Sequence, residues 1–101
     1  MAKRIMPLSE VKIRTARSRD AEYKIFDGGG LFLTVTPSGG KLWRFKYRFG
    51  GKEKLLSLGS YPEISLADAR LRREEARRQI AHGIDPGAVR KAQKQAQTEE
   101  K

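Results

Sequence analysis

The sequence predicts an α+β fold: a three- to four-stranded antiparallel β-sheet packed on one main α-helix, with a short N-terminal helix. Three observations predict it. Between residues 23 and 58, short β-branched and aromatic runs are separated by glycine clusters, the pattern of a meander with tight turns. After Pro62 the apolar residues recur at helical spacing instead. The chain has 101 residues, 38% of them apolar, which suits one domain with a small core and modest stability.

Residues 1–8 read as an irregular arm. Ser9 caps a short segment, Ser9–Arg19, in which Leu8, Val11 and Ile13 line one side of a short helix. Lys12, Arg14, Arg17 and Arg19 load the rest with positive charge. Tyr23–Phe26 is a short strand, ended by Asp27-Gly28-Gly29-Gly30, whose glycines permit a tight reversal. Leu31–Thr36 is the next strand, with Leu31, Leu33 and Val35 on one face and Phe32, Thr34 and Thr36 on the other. Pro37-Ser38-Gly39-Gly40 is a turn. Lys41–Phe49 is the longest strand, Gly50-Gly51 turns it back, and Lys52–Leu58 is the last strand, closed by Gly59.

Pro62 stops the sheet. Ser65-Leu66-Ala67-Asp68 has the spacing of a capping box, with Asp68 in place of the usual Glu or Gln. A helix therefore runs from Leu66 to about His82, with Gly83 as its C-terminal cap. Its stripe of Leu66, Ala69, Ala76 and Ile80 covers the sheet. Arg73 interrupts that stripe, its stem covering apolar surface and its head reaching water. Asp85-Pro86 opens a second segment, Pro86–Lys101, which has helix propensity but nothing to bury. The expected division is a domain at residues 1–84 and, at residues 85–101, a linker or the start of a core-binding domain.

Composition narrows the function. Twenty-two Lys and Arg against 12 Asp and Glu give a formal charge of +10, which favours a polyanionic partner, nucleic acid or an anionic membrane face. With no cysteine, disulfides and thiolate metal sites are excluded, and His82 alone makes no zinc site, so neither metal nor cofactor is expected. No apolar run is long enough to span a membrane, and the N-terminus lacks the apolar run of a secretory signal. A reducing cytoplasm is the default location.

The informative element is Lys41–Phe49. Trp43, Phe45, Tyr47 and Phe49 alternate strictly with Arg44, Lys46 and Arg48, so four aromatics point one way and three cations the other. The aromatics belong to the core. The other face is then a sheet surface with cations in a row, about 7 Å apart. DNA phosphates lie at comparable spacing, and a twisted ribbon can enter the major groove. Thr34, Thr36 and Ser57 share that face as hydrogen-bond donors, while Lys41, Lys52 and Lys54 sit at turns and edges where they clamp the backbone. Charged strand faces also occur merely to block aggregation. Three like charges with no acid between them, in a chain of charge +10, favour nucleic acid instead.

Other features read as structural. No helix follows Gly28-Gly29-Gly30 and no Gly-Lys-Ser/Thr appears, so those glycines make a hairpin turn rather than a phosphate loop. His82 sits where a helix dipole favours it. Asp20, Asp27, Asp68 and Asp85 occupy turn or cap positions, which implies local backbone bonding. Ser57 has no histidine near it in sequence to activate it. Arg70, Arg72, Arg73, Arg77 and Arg78 form a basic helix, partly paired with Glu74 and Glu75, that reads as a solvated face.

Asp27-Gly-Gly-Gly-Leu-Phe-Leu-Thr-Val-Thr-Pro-Ser-Gly-Gly-Lys-Leu-Trp43 resembles the opening of prophage-type integrases, the tyrosine recombinases. Leu58-Gly-Ser-Tyr-Pro-Glu-Ile-Ser-Leu-Ala-Asp-Ala-Arg70 is similar to a second hallmark of that group, and Gly83-Ile-Asp-Pro86 to a third; Leu8-Ser-Glu-Val-Lys-Ile13 also fits. Three linked motifs at the right separations are far more specific than any one, and they span roughly residues 6–92. The resemblance implies an N-terminal arm-type DNA-binding domain, which grips accessory sites flanking the recombination core. In such enzymes a core-binding domain and a catalytic domain come after it, and the catalytic Arg, Lys, His, Arg and Tyr lie in the last. The resemblance therefore implies no catalytic residue here: Tyr23, Tyr47 and Tyr61 match arm-domain positions, not the nucleophile. Arg73 departs from the small apolar residue usual at its position.

The reading is sequence-selective binding of double-stranded DNA at arm-type sites, for integration and excision by site-specific recombination, without a cofactor. Other integrase protomers and a directionality factor are the further partners implied. An RNA-binding or protein-docking module using the same sheet is the alternative, although RNA-reading sheets expose stacking aromatics. Membrane attachment by the basic helix would need large apolar residues where this helix has mostly alanine.

Overall fold

The computed structural model describes residues 7–99, so most of the irregular arm expected at 1–8 lies outside the described residues. The elements are α1 (Glu10–Thr15), β1 (Tyr23–Gly28), β2 (Leu31–Val35), β3 (Lys41–Phe49), β4 (Lys52–Ser60), α2 (Leu66–Ala81) and α3 (Pro86–Glu99). The four strands form one antiparallel sheet in the order β1-β2-β3-β4, each hairpin pairing with the next, as the glycine turns predict. Gly50 and Gly51, at φ 60° and 77°, supply the two left-handed residues of a tight β3–β4 turn.

One face of the sheet is the core. Leu31, Leu33 and Val35 of β2, Trp43, Phe45 and Tyr47 of β3, and Leu56 and Leu58 of β4 are buried against Leu66, Ala69 and Ala76 of α2. Three of the four aromatics of β3 thus go inward as alternation requires, and Phe49, near the open end, is partly covered. Trp43 has no exposed surface, and its indole N–H donates to the Ile64 carbonyl at 2.7 Å, so the ring is buried without an orphaned donor. Ser65 caps α2 by accepting from the Asp68 N–H at 3.1 Å, and Gly83 comes after its C-cap His82 with φ 75°.

Several expectations change. Helix α1 has six residues, because Ala16 turns extended and too few apolar residues succeed it to hold a longer helix. Leu8 and Ile13 enter the core, but Val11 is 58% exposed and lines nothing. Gly59 does not close β4. It lies inside the strand opposite Trp43, where the register shifts before Arg44 pairs with Ser57. Its φ is 108°, and a Cβ there would come within 2.5 Å of Ile64 Cγ1, so this irregularity needs glycine.

The Arg73 head is turned mainly to protein rather than to water, its side chain 17% exposed. It donates to Asp27 Oδ2 at 3.0 Å and to the Gly28 carbonyl at 2.9 Å. Arg70 grips the same carboxylate with Nε at 3.1 Å and Nη2 at 2.8 Å, and the Leu8 N–H adds a bond at 2.8 Å. Asp27 is therefore a buried anchor joining the segment before α1, the β1–β2 turn and α2, rather than a turn residue bonding locally. Burial alone pushes its carboxyl pKa up, but the Arg70 hydrogen bond, the Leu8 N–H and the two guanidinium charges outweigh that and hold it below the ordinary value. Two arginines of the supposed solvated face of α2 are thus structural.

The segment after Gly83 also does more than expected. Pro86 occupies the first position of α3, and Asp85 caps it by accepting from the Gly87 N–H at 3.0 Å. Pro86 and Val89 line a small cleft with Leu56, Leu58 and Ala76, so the start of α3 does find apolar surface to cover.

Candidate nucleic-acid interface

Strand register assembles the outer face of the sheet row by row. Lys24, Thr34, Leu42 and Ser60 form one row, and Phe26, Phe32, Arg44 and Ser57 the next. Lys46 then pairs with Leu55, and Arg48 with Glu53. The expected residues Arg44, Lys46, Arg48 and Ser57 are therefore brought together. Arg44, at the centre, has no hydrogen-bond or ion-pair partner among the described residues and is half-buried between Phe32 and Ser57. Arg48 Nη2 donates to the Gly51 carbonyl at 3.3 Å, which leaves most of its fork free.

The other expected contacts are placed differently. Thr34 is on this face but 0% exposed, and its Oγ1, unpartnered, is not at the surface. Thr36 lies past the end of β2, where its Oγ1 accepts from the Gly40 N–H at 2.9 Å and shares a 3.0 Å bond with Ser38 Oγ; its hydroxyl organises the β2–β3 turn. Lys41 points to the core side and donates to the Ile13 and Arg14 carbonyls at 2.8 and 3.2 Å, satisfying the C-terminal end of α1. Lys52 is exposed at the β3–β4 turn opposite Phe49. Lys54, opposite Tyr47, turns to Asp85 Oδ2 at 2.5 Å. Of the three clamping lysines, only Lys52 remains at an open edge.

Tyr47, Lys54 and Asp85 form a second polar cluster, with the Tyr47 hydroxyl donating to Asp85 Oδ1 at 2.6 Å. The hydrogen bonds from Lys54 and Tyr47 hold the Asp85 carboxyl down at about 2, against the burial that raises it. Burial, and then the Asp85 hydrogen bond and charge, push the Tyr47 phenol up to about 12. Asp85 stays ionised and Tyr47 protonated across the ordinary pH range, so the cluster ties α3 to the sheet and leaves no group poised for proton transfer.

Four outer-face residues escaped the sequence reading. Lys24 lies over the Phe32 ring at 5.2 Å, and Phe26, 47% exposed, packs on Phe32 with centroids 5.5 Å apart. Leu55 is 56% exposed beside Lys46. Glu53 forms an ion pair with Lys46. The signals existed: alternation in Tyr23–Phe26 sends Lys24 and Phe26 to one side, and counting outward from Gly50-Gly51 sets Arg48 against Glu53. The acid missing along β3 is supplied across it, by β4.

The arrangement offers fixed positive charge on a flat surface, a central Arg–Ser pair, and apolar side chains beside it. Arg and Ser are base-edge and phosphate donors, and an apolar side chain meets a thymine methyl. Among the described residues no helix is long and apolar enough to cross a membrane.

A family model described as Arm DNA-binding domain matches residues 8–93. The integrase of Enterobacteria phage P4 is 44% identical over 88 residues, which cover 85% of this chain and 20% of that protein. The prophage integrase IntA of Escherichia coli (strain K12) is 42% identical over 95 residues, covering 92% of this chain and 23% of that one. The IntB protein of the same strain is 54% identical over 68 residues, 67% of this chain and 17% of its own length. The chain thus spans about a fifth of the length of these curated relatives.

Proposed function

Because the chain belongs to the arm DNA-binding domain family, we propose that its outer sheet face binds double-stranded DNA sequence-selectively, at arm-type sites that serve site-specific recombination. The observation that carries this reading is Arg44: a central guanidinium without a partner among the described residues, flanked by Ser57, with Lys46 and Arg48 on the same strand face. A sheet entering the major groove sets such a row against base edges and the adjoining phosphates. Arg44 and Ser57 read bases, Arg48 and Lys46 hold phosphate, and Lys52 meets the backbone at the turn. In this reading residues 1–84 are the binding domain and residues 85–101 a linker or the start of a core-binding domain, whose first turn is docked on the sheet through Asp85 and Pro86. The names of the relatives support a whole protein that is an integrase; our reading takes it to be of the tyrosine recombinase type, acting in the bacterial cytoplasm with other protomers and a directionality factor. The chemistry then resides outside this chain.

Titration of a duplex carrying the site across a salt series tests this. With six phosphates neutralised, the log–log slope is about −5. A slope near zero, or unchanged binding after joint charge reversal of Arg44 and Arg48, overturns the sheet as the contact surface.

Exposed Phe26 favours a second reading, single-stranded nucleic acid stacked on the sheet. Sheets that read RNA stack two or three bases on several aromatics, and this face exposes one, so duplex DNA is preferred. Competition between duplex DNA and single-stranded RNA separates the two.

A further inference from the structure

Helix α1 carries Lys12 and Arg14, the segment after it carries Arg17 and Arg19, and together they lead into Lys24 on the outer face. This stretch is fixed in place. The Tyr23 hydroxyl donates to the Arg17 carbonyl at 2.5 Å, the Arg19 guanidinium lies 4.0 Å over the Tyr23 ring, and Lys41 satisfies the carbonyls of Ile13 and Arg14. None of the four cations forms an ion pair among the described residues, although Glu10, Asp20 and Glu22 share the segment. Lys12, Arg17, Arg19 and Lys24 line one open cleft along β1, the edge strand of the sheet. Cations that form no ion pair among the described residues, on a segment bonded through its own backbone and one ring, make a surface prepared for an external anion.

The size of the sheet says which anion. Four strands spaced about 4.8 Å apart are roughly 14 Å across, whereas the major groove is about 12 Å wide. With the central strands β2 and β3 over the groove, an edge strand lies over its wall, which is the phosphate backbone. We infer that the Lys12–Arg19 segment is a second DNA-contact surface, which wraps the β1 edge and grips the phosphates flanking the groove that the sheet occupies. This rests on the proposed function, since the partner is the same duplex. Its contacts are to phosphate alone, so it contributes affinity without sequence preference.

The test is the triple variant K12A/R14A/R17A, which changes exposed side chains without internal partners and leaves Tyr23, Arg19 and Lys41 in place. Binding of the parent and variant chains is titrated against salt on a duplex with the site and on a scrambled duplex. The expected result is a slope shallower by about 2 to 3, from about 0.9 per lost phosphate, with equal loss on both duplexes. A circular-dichroism spectrum matching the parent shows that the variant is folded. An unchanged slope in a folded variant overturns this surface and leaves the sheet reading intact, as does a loss confined to one duplex. A parent chain that binds neither duplex overturns the functional reading, and this inference with it.

Discussion

At the residue scale, two arginines of similar exposure have opposite duties. Arg44 is held by packing with no partner among the described residues, and Arg73 is bonded to Asp27, Gly28 and Glu74. Arg44→Ala is expected to weaken binding to the site by about 1–3 kcal/mol, the range for one good base contact, and to narrow the gap between site and scrambled duplex. Paired titrations on the two duplexes check this; equal losses would make Arg44 a phosphate contact. Asp27→Ala removes the carboxylate shared by Arg70, Arg73 and the Leu8 N–H, leaving Arg73 with Glu74 and the Gly28 carbonyl and Arg70 with the Leu8 carbonyl. With both guanidiniums in part exposed and the Leu8 N–H left without its acceptor, the cost is about 2 kcal/mol, to be measured by urea denaturation. Because the folded pKa of Asp27 is depressed, its contribution is present above its unfolded value, 3.8, and fades as pH falls below that.

At the element scale, the start of α3 depends on one capping carboxylate. The Asp85 pKa falls from 3.8 to about 2 on folding, so the stabilisation it gives is complete above the unfolded value and disappears as pH drops through that window. Hydrogen exchange at the first turns of α3 is expected to accelerate between about pH 4 and pH 2, relative to the intrinsic rate, while core strands keep their protection longer. Asp85→Asn is expected to abolish most of that pH dependence, and an unchanged profile would assign it to other carboxylates. The strands themselves are legible in the sequence, since period-two alternation and glycine turns are local signals. So is the core face of β3. The Asp27 cluster is not, because Arg70 and Arg73 lie 43 and 46 residues away in sequence and an isolated Asp before three glycines looks like turn chemistry. Strand parity and position at an edge put Thr34, Lys41 and Lys54 among the contacts. Neither tells whether neighbouring side chains cover a hydroxyl or whether a carbonyl or carboxylate waits within reach.

At the scale of the whole molecule, a charge of +10 on 101 residues sets stability against function. Like charges repel in the folded chain, and salt screens them. Raising ionic strength is therefore expected to raise the Tm of the free chain while weakening its hold on DNA. Thermal melts with and without duplex across one salt series should move in opposite directions, and parallel movement would deny that the surplus charge serves binding. The surplus is also uneven: Arg70 and Arg73 are absorbed by the fold and Lys46 is paired with Glu53, whereas Arg44 and the cations of α1 and the segment after it form no ion pair among the described residues.

Under the proposed role of Lys46 as a phosphate contact, Glu53 shortens the time a complex lasts. Each time Lys46 leaves a phosphate, a carboxylate on the next strand is ready to receive it, so departure needs no wait for a counter-ion from solution. An exposed pair of this kind is worth about 0.5 kcal/mol, or roughly a twofold change in residence time. On that reading the chain lets go of wrong sequence sooner than its charge alone would allow. Glu53→Gln is expected to lengthen the dwell on scrambled duplex about twofold, as dissociation in stopped flow would show.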